Sequence, residues 1–332
     1  MPRIFLRDRK AGDYIEEEVF ILSGKQLSTT QGGKPFIKAN IADKTKTLPA
    51  RMWNAPSGSF NVMPEGGFLR LSGKVENYQD NLQFIIDRFW VVEESEVVLD
   101  DLLAASTKDV NALFDRLTGL LLTIRHPQLL AVVQEYLADA TLMADLKRAP
   151  AAMSMHHAYI GGLLEHTLSA CEVAEAVCKF YPLLNRDLVL AGVFIHDLAK
   201  TTELSFGTSF GYTDEGQLVG HIARGVVWVQ EKTRQASEKL GTPVDPKLVM
   251  ALQHIVLSHH GTAEFGAIKS PATPEAMAVH LIENMDAKMQ MVLEATRGES
   301  SKNEGTFTDF HKGLGVRLYR PDVAKLDAGP TG

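Results

Sequence analysis

The apolar residues of this chain change their spacing once, near Glu96, and every other reading depends on that change. Over residues 13–95, apolar and polar positions alternate in short runs. Gly24, Gly32, Gly33, Pro35, Gly58, Gly66, Gly67 and Gly73 interrupt them at strand-length intervals, as expected of an all-β unit. Beyond Glu96, in LDDLLAAS, NALFDRLTGLLLTI and HPQLLAVVQEYLADATLMADLKRA, apolar residues return every three or four positions, which aligns them along one face of a helix. At 332 residues the chain has room for more than one core, because a domain takes about 100 to 200 residues.

The β half predicts strands over 17–28, 34–43, 47–54, 67–78 and 81–92. That count suits a small closed Greek-key barrel of the OB type. The helical half predicts helices over 163–181, 187–200, 219–240, 246–259 and 274–296, with Pro182, Pro243 and Pro271 falling between them, where helix breaks belong. The expected fold class is multidomain α+β: a five-stranded OB-like barrel over 13–95, a helical linker over 96–150, an all-α bundle over 151–298 and an extension over 299–332. Within that extension, 307–319 is expected to dock and the rest to trail.

Charge is informative only locally. The formal net charge of −7 opposes coating of nucleic acid by an overall positive field, yet residues 19–51 carry Lys25, Lys34, Lys38, Lys44, Lys46 and Arg51 against the single acid Asp43. Cys171 and Cys178 lie seven apart in an apolar helical pattern, so they read as small hydrophobes in a reducing cytoplasm. No segment has the apolar run of a signal peptide or of a membrane span. A soluble, cytoplasmic protein with no membrane partner is expected, and self-association into a homo-oligomer is left open.

The stretch VFIHDLAK raises the chemical question. Leu188, Val189, Leu190, Val193, Phe194, Ile195 and Leu198 surround the helix axis, so the helix is buried and takes His196 and Asp197 inside with it. An ionised carboxylate there costs several kcal/mol unless something positive compensates it. Other groups of the same kind accompany the doublet. His166 lies on an earlier helix beside the small residues Gly162, Ser169 and Ala170, and Asp286 shares a helix face with Ile282 and Met289. His221 begins another helix, and His259 and His260 end one. Imidazoles with carboxylates suit divalent Mn, Fe, Co or Zn better than Mg or Ca.

The order His, His-Asp, His, His-His, Asp resembles that of the HD-domain metal phosphohydrolases, in particular members with two metals. By that resemblance His166, His196, Asp197 and Asp286 hold one ion, His221, His259 and His260 hold a second, and Asp197 bridges the two. Two ions about 3.5 to 4 Å apart would lower the pKa of a shared water and clamp a phosphate, giving a hydroxide nucleophile at neutral pH. Lys200, one turn beyond Asp197, either reaches a phosphate oxygen or complements the helix dipole in solvent. His156 and His157 precede the first ligand helix, and His157 is the candidate to meet substrate or protonate a leaving group. His126, His254, His280 and His311 have no assigned role.

In the barrel region, Phe36, Trp53, Phe60, Tyr78, Phe84 and Trp90 interleave with Lys34, Lys38, Lys46, Arg51 and Lys74. Aromatics that stack bases beside cations that follow phosphates are the means of single-strand binding. A barrel also needs large residues inside, so Phe84 and Phe89 are expected in the core. Phe36, Trp53 and Tyr78, with Lys38 and Arg51, are the expected nucleic-acid face, and the region resembles nucleic-acid-binding OB domains.

Together with HHAYIGGLLEHT, GYTDEGQLVGHI, SHHGTAEFG and FTDFHKGLGVRLYRP, this architecture resembles the YhaM-type 3′ to 5′ exoribonucleases over nearly the full chain. The resemblance implies a hydrolase using two divalent transition-metal ions, manganese foremost. It would release nucleoside 5′-monophosphates one at a time from single-stranded RNA, with DNA as an alternative strand. Two rival readings are an HD enzyme acting on cyclic dinucleotides or nucleoside triphosphates, and a nucleic-acid adaptor that has lost catalysis.

Overall fold

The computed structural model describes residues 3–30, 32–79, 81–103, 106, 108–152, 159–206, 210–298 and 305–321. The β half is a closed barrel of β1 (Tyr14–Thr29), β2 (Pro35–Ala42), β3 (Thr47–Trp53), β4 (Phe68–Tyr78) and β5 (Asn81–Val92), in the order β1-β2-β3-β5-β4. A single helical turn, α1 (Ser59–Val62), joins β3 to β4. Each expected strand is present, because alternation puts Ile37, Ala39 and Ile41 of β2 and Leu48, Ala50 and Met52 of β3 on the inner face. Phe84 is fully buried in that core, and Phe89 packs against it from a half-buried position. β3 and β5 close the barrel as a parallel pair through only Ala50↔Phe84 and Arg51↔Ile85. Where β4 slips register against β5 between Ser72 and Gly73, a Cβ on Gly73 would lie 2.0 Å from the Ile85 carbonyl oxygen. Only glycine allows that approach.

The helical half begins with α2 (Val110–Leu121), α3 (Pro127–Leu137) and α4 (Ala140–Leu146). Their starts follow from local chemistry: the side chains of Asp109, His126 and Asp139 accept from backbone N–H groups of the first turn, and Pro127 needs no such partner. Next come α5 (Gly162–Phe180), α6 (Arg186–Ile195), α7 (Lys200–Glu203), a small hairpin of β6 (Leu204–Phe206) and β7 (Phe210–Tyr212), and α8 (Asp214–Leu218). The long helices α9 (Gly220–Leu240), α10 (Pro246–Ser258) and α11 (Pro274–Arg297) complete the body, and a hairpin of β8 (Phe307–His311) and β9 (Val316–Tyr319) packs on α11.

One apolar cluster runs from Leu113 of α2 to Ile282 of α11. The helices expected to link the two halves therefore bury Leu117, Leu129, Val133 and Tyr136 in the same core as α5, α6 and α10. Tyr136 meets Phe194 edge-on at 6.1 Å, anchoring α3 to α6. A third, smaller cluster, besides the barrel core, joins Ile21, Phe68 and Val92 of the barrel to Leu102 and Leu103, with Ile160 packed against it.

The helix expected over 187–200 stops early, at Ile195. From there Leu198 N–H donates to Ile195 O and Lys200 N–H to Asp197 O, the tighter three-residue bonding that ends many helices. The turn frees His196 and Asp197 from the regular helix face and directs both into the body.

Candidate metal centre and nucleic-acid face

His166 of α5, His196 and Asp197 of the turn after α6, His221 of α9, His259 after α10 and Asp286 of α11 are all buried, and His260 is half-buried. Ligand atoms fall into two overlapping sets: His166, His196 and Asp197 in one, and Asp197, His221, His259 and His260 in the other. Asp197 belongs to both, and its two oxygens divide the work. Oδ1 faces His221 Nε2 at 3.5 Å and His259 Nε2 at 3.4 Å. Oδ2 faces His196 Nε2 at 3.3 Å and His166 Nε2 at 3.8 Å.

The far side of each ring explains why its near side is available. His196 Nδ1 lies 2.6 Å from Val193 O, His259 Nδ1 2.8 Å from Val256 O, and His221 Nδ1 2.9 Å from Glu203 Oε2. Carbonyl and carboxylate oxygens only accept. Each Nδ1 must therefore carry the hydrogen, and in the neutral ring Nε2 turns a bare lone pair inward. His166 repeats the pattern, since its Nδ1 donates to Asp286 Oδ2 at 2.8 Å. Asp286, expected as a direct ligand, is thus placed behind His166, where Ser169 Oγ also donates to it. A carboxylate in that position orients the ring and raises its basicity.

The charges are arranged around Asp197. Burial pushes its carboxyl up, but the Lys200 ammonium and His196 outweigh burial and hold it well below the usual carboxylate range. Lys200 Nζ lies 2.6 Å from Asp197 Oδ2 with its side chain only 13% exposed. Lys200 is therefore neither solvated nor directed at the helix dipole, and its ammonium is the carboxylate's counter-charge. Burial works against that ammonium too, and Asp197 outweighs it, so the Lys200 pKa is raised. Burial likewise opposes His196, where the neighbouring carboxylate wins and the pKa moves up. Burial dominates at His259, driving it well below the usual imidazole value, and pushes His260 down to about 4. Both are neutral at pH 7, the form a metal requires.

Whether these residues suit a cation is tested by their polar atoms. Asp197 Oδ1, His221 Nε2, His259 Nε2 and His260 Nδ1 are buried without a hydrogen-bond partner among the described residues. Buried polar atoms are normally paired, and this convergent group of nitrogen and oxygen lone pairs fits a divalent transition metal.

Glu203 is the functional residue that sequence reasoning missed. Besides Nδ1, it accepts from the His221 backbone N–H at 3.1 Å. A Cβ on Gly216 would lie 2.2 Å from the Glu203 carbonyl oxygen, so that glycine lets α8 close over α7. The only available signal was an acid ending the buried turn HDLAKTTE. His157, the expected proton donor, lies outside the described residues.

On the barrel, β2 and β3 pair Phe36 directly with Trp53 and Lys38 with Arg51. Trp53 is 39% exposed and Tyr78 47%, and the Arg51 guanidinium lies 5.5 Å from the Trp53 ring and 4.9 Å from the Tyr78 ring. Phe36 differs from expectation, being only 6% exposed. The Trp53 ring stacks on it at 4.6 Å, so Phe36 supports the face from below, and Lys38 Nζ sits 5.5 Å from its ring.

A match to the HD domain family spans residues 163–288 and includes every member of both ligand sets. The 3′-5′ exoribonuclease YhaM of Bacillus subtilis (strain 168) is 32% identical over 318 residues, covering 95% of this chain and 98% of that protein. The chain belongs to the YhaM 3′-5′ exoribonuclease family. A second YhaM, from Geobacillus sp. (strain WCH70), is 34% identical over 300 residues, 89% of each chain. In this YhaM-family chain, the HD match runs from α5 into α11 and leaves the barrel and the β8–β9 hairpin outside it. Among the described residues no helix is long and apolar enough to cross a membrane.

Proposed function

We propose that this protein is a metal-dependent 3′ to 5′ exoribonuclease that shortens single-stranded RNA by one nucleoside 5′-monophosphate at a time. The observation that carries the reading is the division of Asp197 between two ligand sets, in one of which Asp197 Oδ1 and the inward nitrogens of His221, His259 and His260 have no hydrogen-bond partner among the described residues. When bound, two divalent transition-metal ions, manganese foremost, supply a nucleophile at neutral pH and offset the charge that grows on the phosphoryl oxygens. His166 and His196 would hold one ion and His221, His259 and His260 the other, with Asp197 offering an oxygen to each set. Asp286 and Glu203 hold His166 and His221 in the tautomer that presents Nε2. Hydrolysis adds the oxygen of water to phosphorus, breaks the P–O3′ bond, and leaves a proton on the departing O3′. Trp53, Tyr78, Arg51 and Lys38 provide stacking faces and positive charge for the strand.

The test is a time course on 5′-labelled single-stranded RNA with manganese and with chelator. A ladder descending from the full length, abolished by chelator, is expected. RNA left intact while small nucleotides are consumed would refute the reading. Asp197→Ala should abolish hydrolysis and lower metal content while RNA binding persists, and a fully active variant would contradict the shared-ligand assignment.

A further inference from the structure

Beside the metal centre lies a cleft of about 560 Å³ that shares His260 with it. α11 supplies Asn284, Lys288 and Met291, the hairpin β8–β9 adds Leu314 and Leu318, and Phe265 stands in the segment after α10. No function considered so far uses this cleft or the hairpin that walls it. We infer that it seats the nucleoside at the 3′ end of the strand, with the base against Phe265 and the hairpin. This inference rests on the exonuclease reading for its substrate, and on the structure for its place.

Position is the first argument. His260 lines the cleft and belongs to the ligand set around Asp197, so a phosphate held at that set has its attached ribose and base within the cleft's reach. Size is the second, because sites for small ligands run from about 300 to 1,000 Å³. Chemistry is the third. Met291 is buried, Leu314 and Leu318 are half-buried, and Phe265 is 69% exposed. An aromatic side chain left so open beside an apolar wall offers a stacking face that any base can use. Asn284 carries both donor and acceptor on one amide and so tolerates different base edges, as an enzyme that removes every nucleotide in turn requires. From the same helix Lys288 adds a positive charge and Glu283 a negative one, so the wall's charges offset each other.

The experiment compares two probes on the manganese-loaded full chain by calorimetry: adenosine 5′-monophosphate, and ribose 5-phosphate, which lacks the base. The monophosphate is expected to bind about tenfold or more tightly than ribose 5-phosphate, the advantage of one stacked base. Leu314→Trp fills the cleft from the hairpin and Phe265→Ala removes the stacking face. Each should bring the ratio near one, with ribose 5-phosphate affinity and manganese content unchanged. Equal binding of the two probes by the unaltered protein, or a ratio that survives both substitutions, would overturn the inference. Should Leu314→Trp also lose ribose 5-phosphate, Phe265→Ala decides. A protein that leaves RNA intact yet keeps the ratio refutes the exonuclease reading alone, because the probe ratio needs no turnover.

Discussion

Replacing Glu203 by alanine tests how the second ligand set is built. Glu203 is ionised at neutral pH: burial opposes its charge, but the hydrogen bonds from His221 outweigh burial and lower its pKa. Its side chain is 13% exposed and accepts from His221 twice, at Nδ1 and at the backbone N–H. Removing it costs no direct metal contact. It does release the imidazole to rotate and to place its hydrogen on Nε2, the atom 3.5 Å from Asp197 Oδ1. Loss of such a supporting carboxylate lowers metal affinity by about 10- to 100-fold, which is about 1.4 to 2.7 kcal/mol. Manganese titration by calorimetry should show a weakened site beside one that is unchanged, since His166 and His196 depend on Asp286 and Val193 instead. Glu203→Gln, which retains an acceptor for Nδ1, should fall between alanine and the unaltered protein. Manganese bound by Glu203→Ala with full affinity at every site would refute the reasoning, as would equal weakening of all sites.

Trp53→Ala should weaken binding of single-stranded RNA by about 1 to 3 kcal/mol in a fluorescence titration, with metal content unaltered; unchanged affinity would remove Trp53 from the binding face. Gly73→Ala forces a Cβ to 2.0 Å from the Ile85 carbonyl oxygen and 2.9 Å from the Phe84 ring. It should destabilise the barrel by about 3 kcal/mol or more, read as an early unfolding transition, whereas the cleavage chemistry of the helical body should persist at low temperature. Asp187 caps the approach to α3 by accepting from His126 and Arg125 N–H and pairing with Arg186. Those bonds outweigh burial and lower its pKa below that of the unfolded chain. Its stabilisation is therefore present above the unfolded value of about 3.9 and is lost as the pH falls through the lower folded value. Denaturant unfolding should show Asp187→Asn less stable than the unaltered protein at pH 7, with the gap closing on acidification below pH 4. A gap independent of pH would contradict the role.

The periodicity near Glu96 made the two halves legible because strand and helix patterns differ by their spacing alone. The strand over 81–92 matches β5, and the helix over 163–181 matches α5 to within a residue at each end. The candidate ligands were legible for a different reason: charged or polar groups on otherwise apolar helix faces demand compensation, and only a shared destination in space satisfied His166, Asp197 and His259 together. What periodicity cannot encode is the reach of one side chain toward another element. Glu203 meets His221 across the β6–β7 hairpin and α8, so its role depends on a fold-back of 18 residues that leaves no spacing signal. Phe36 looked like a base-stacking residue because an apolar side chain near a strand end can point either way, and the stacked Trp53 decided it. The helices within 96–150 read as a linker because amphipathic periodicity marks a buried face without naming its partner; that partner is the core around Phe194.

The seam between β3 and β5 has a mechanical consequence. Only two residue pairs close it, and one of them carries Arg51, the cation above Trp53 and Tyr78. When the barrel breathes, this short junction parts before the long antiparallel ladders, so amide hydrogens near Arg51 should exchange ahead of those in β4. The surface proposed to hold a strand is then also a compliant part of its own scaffold.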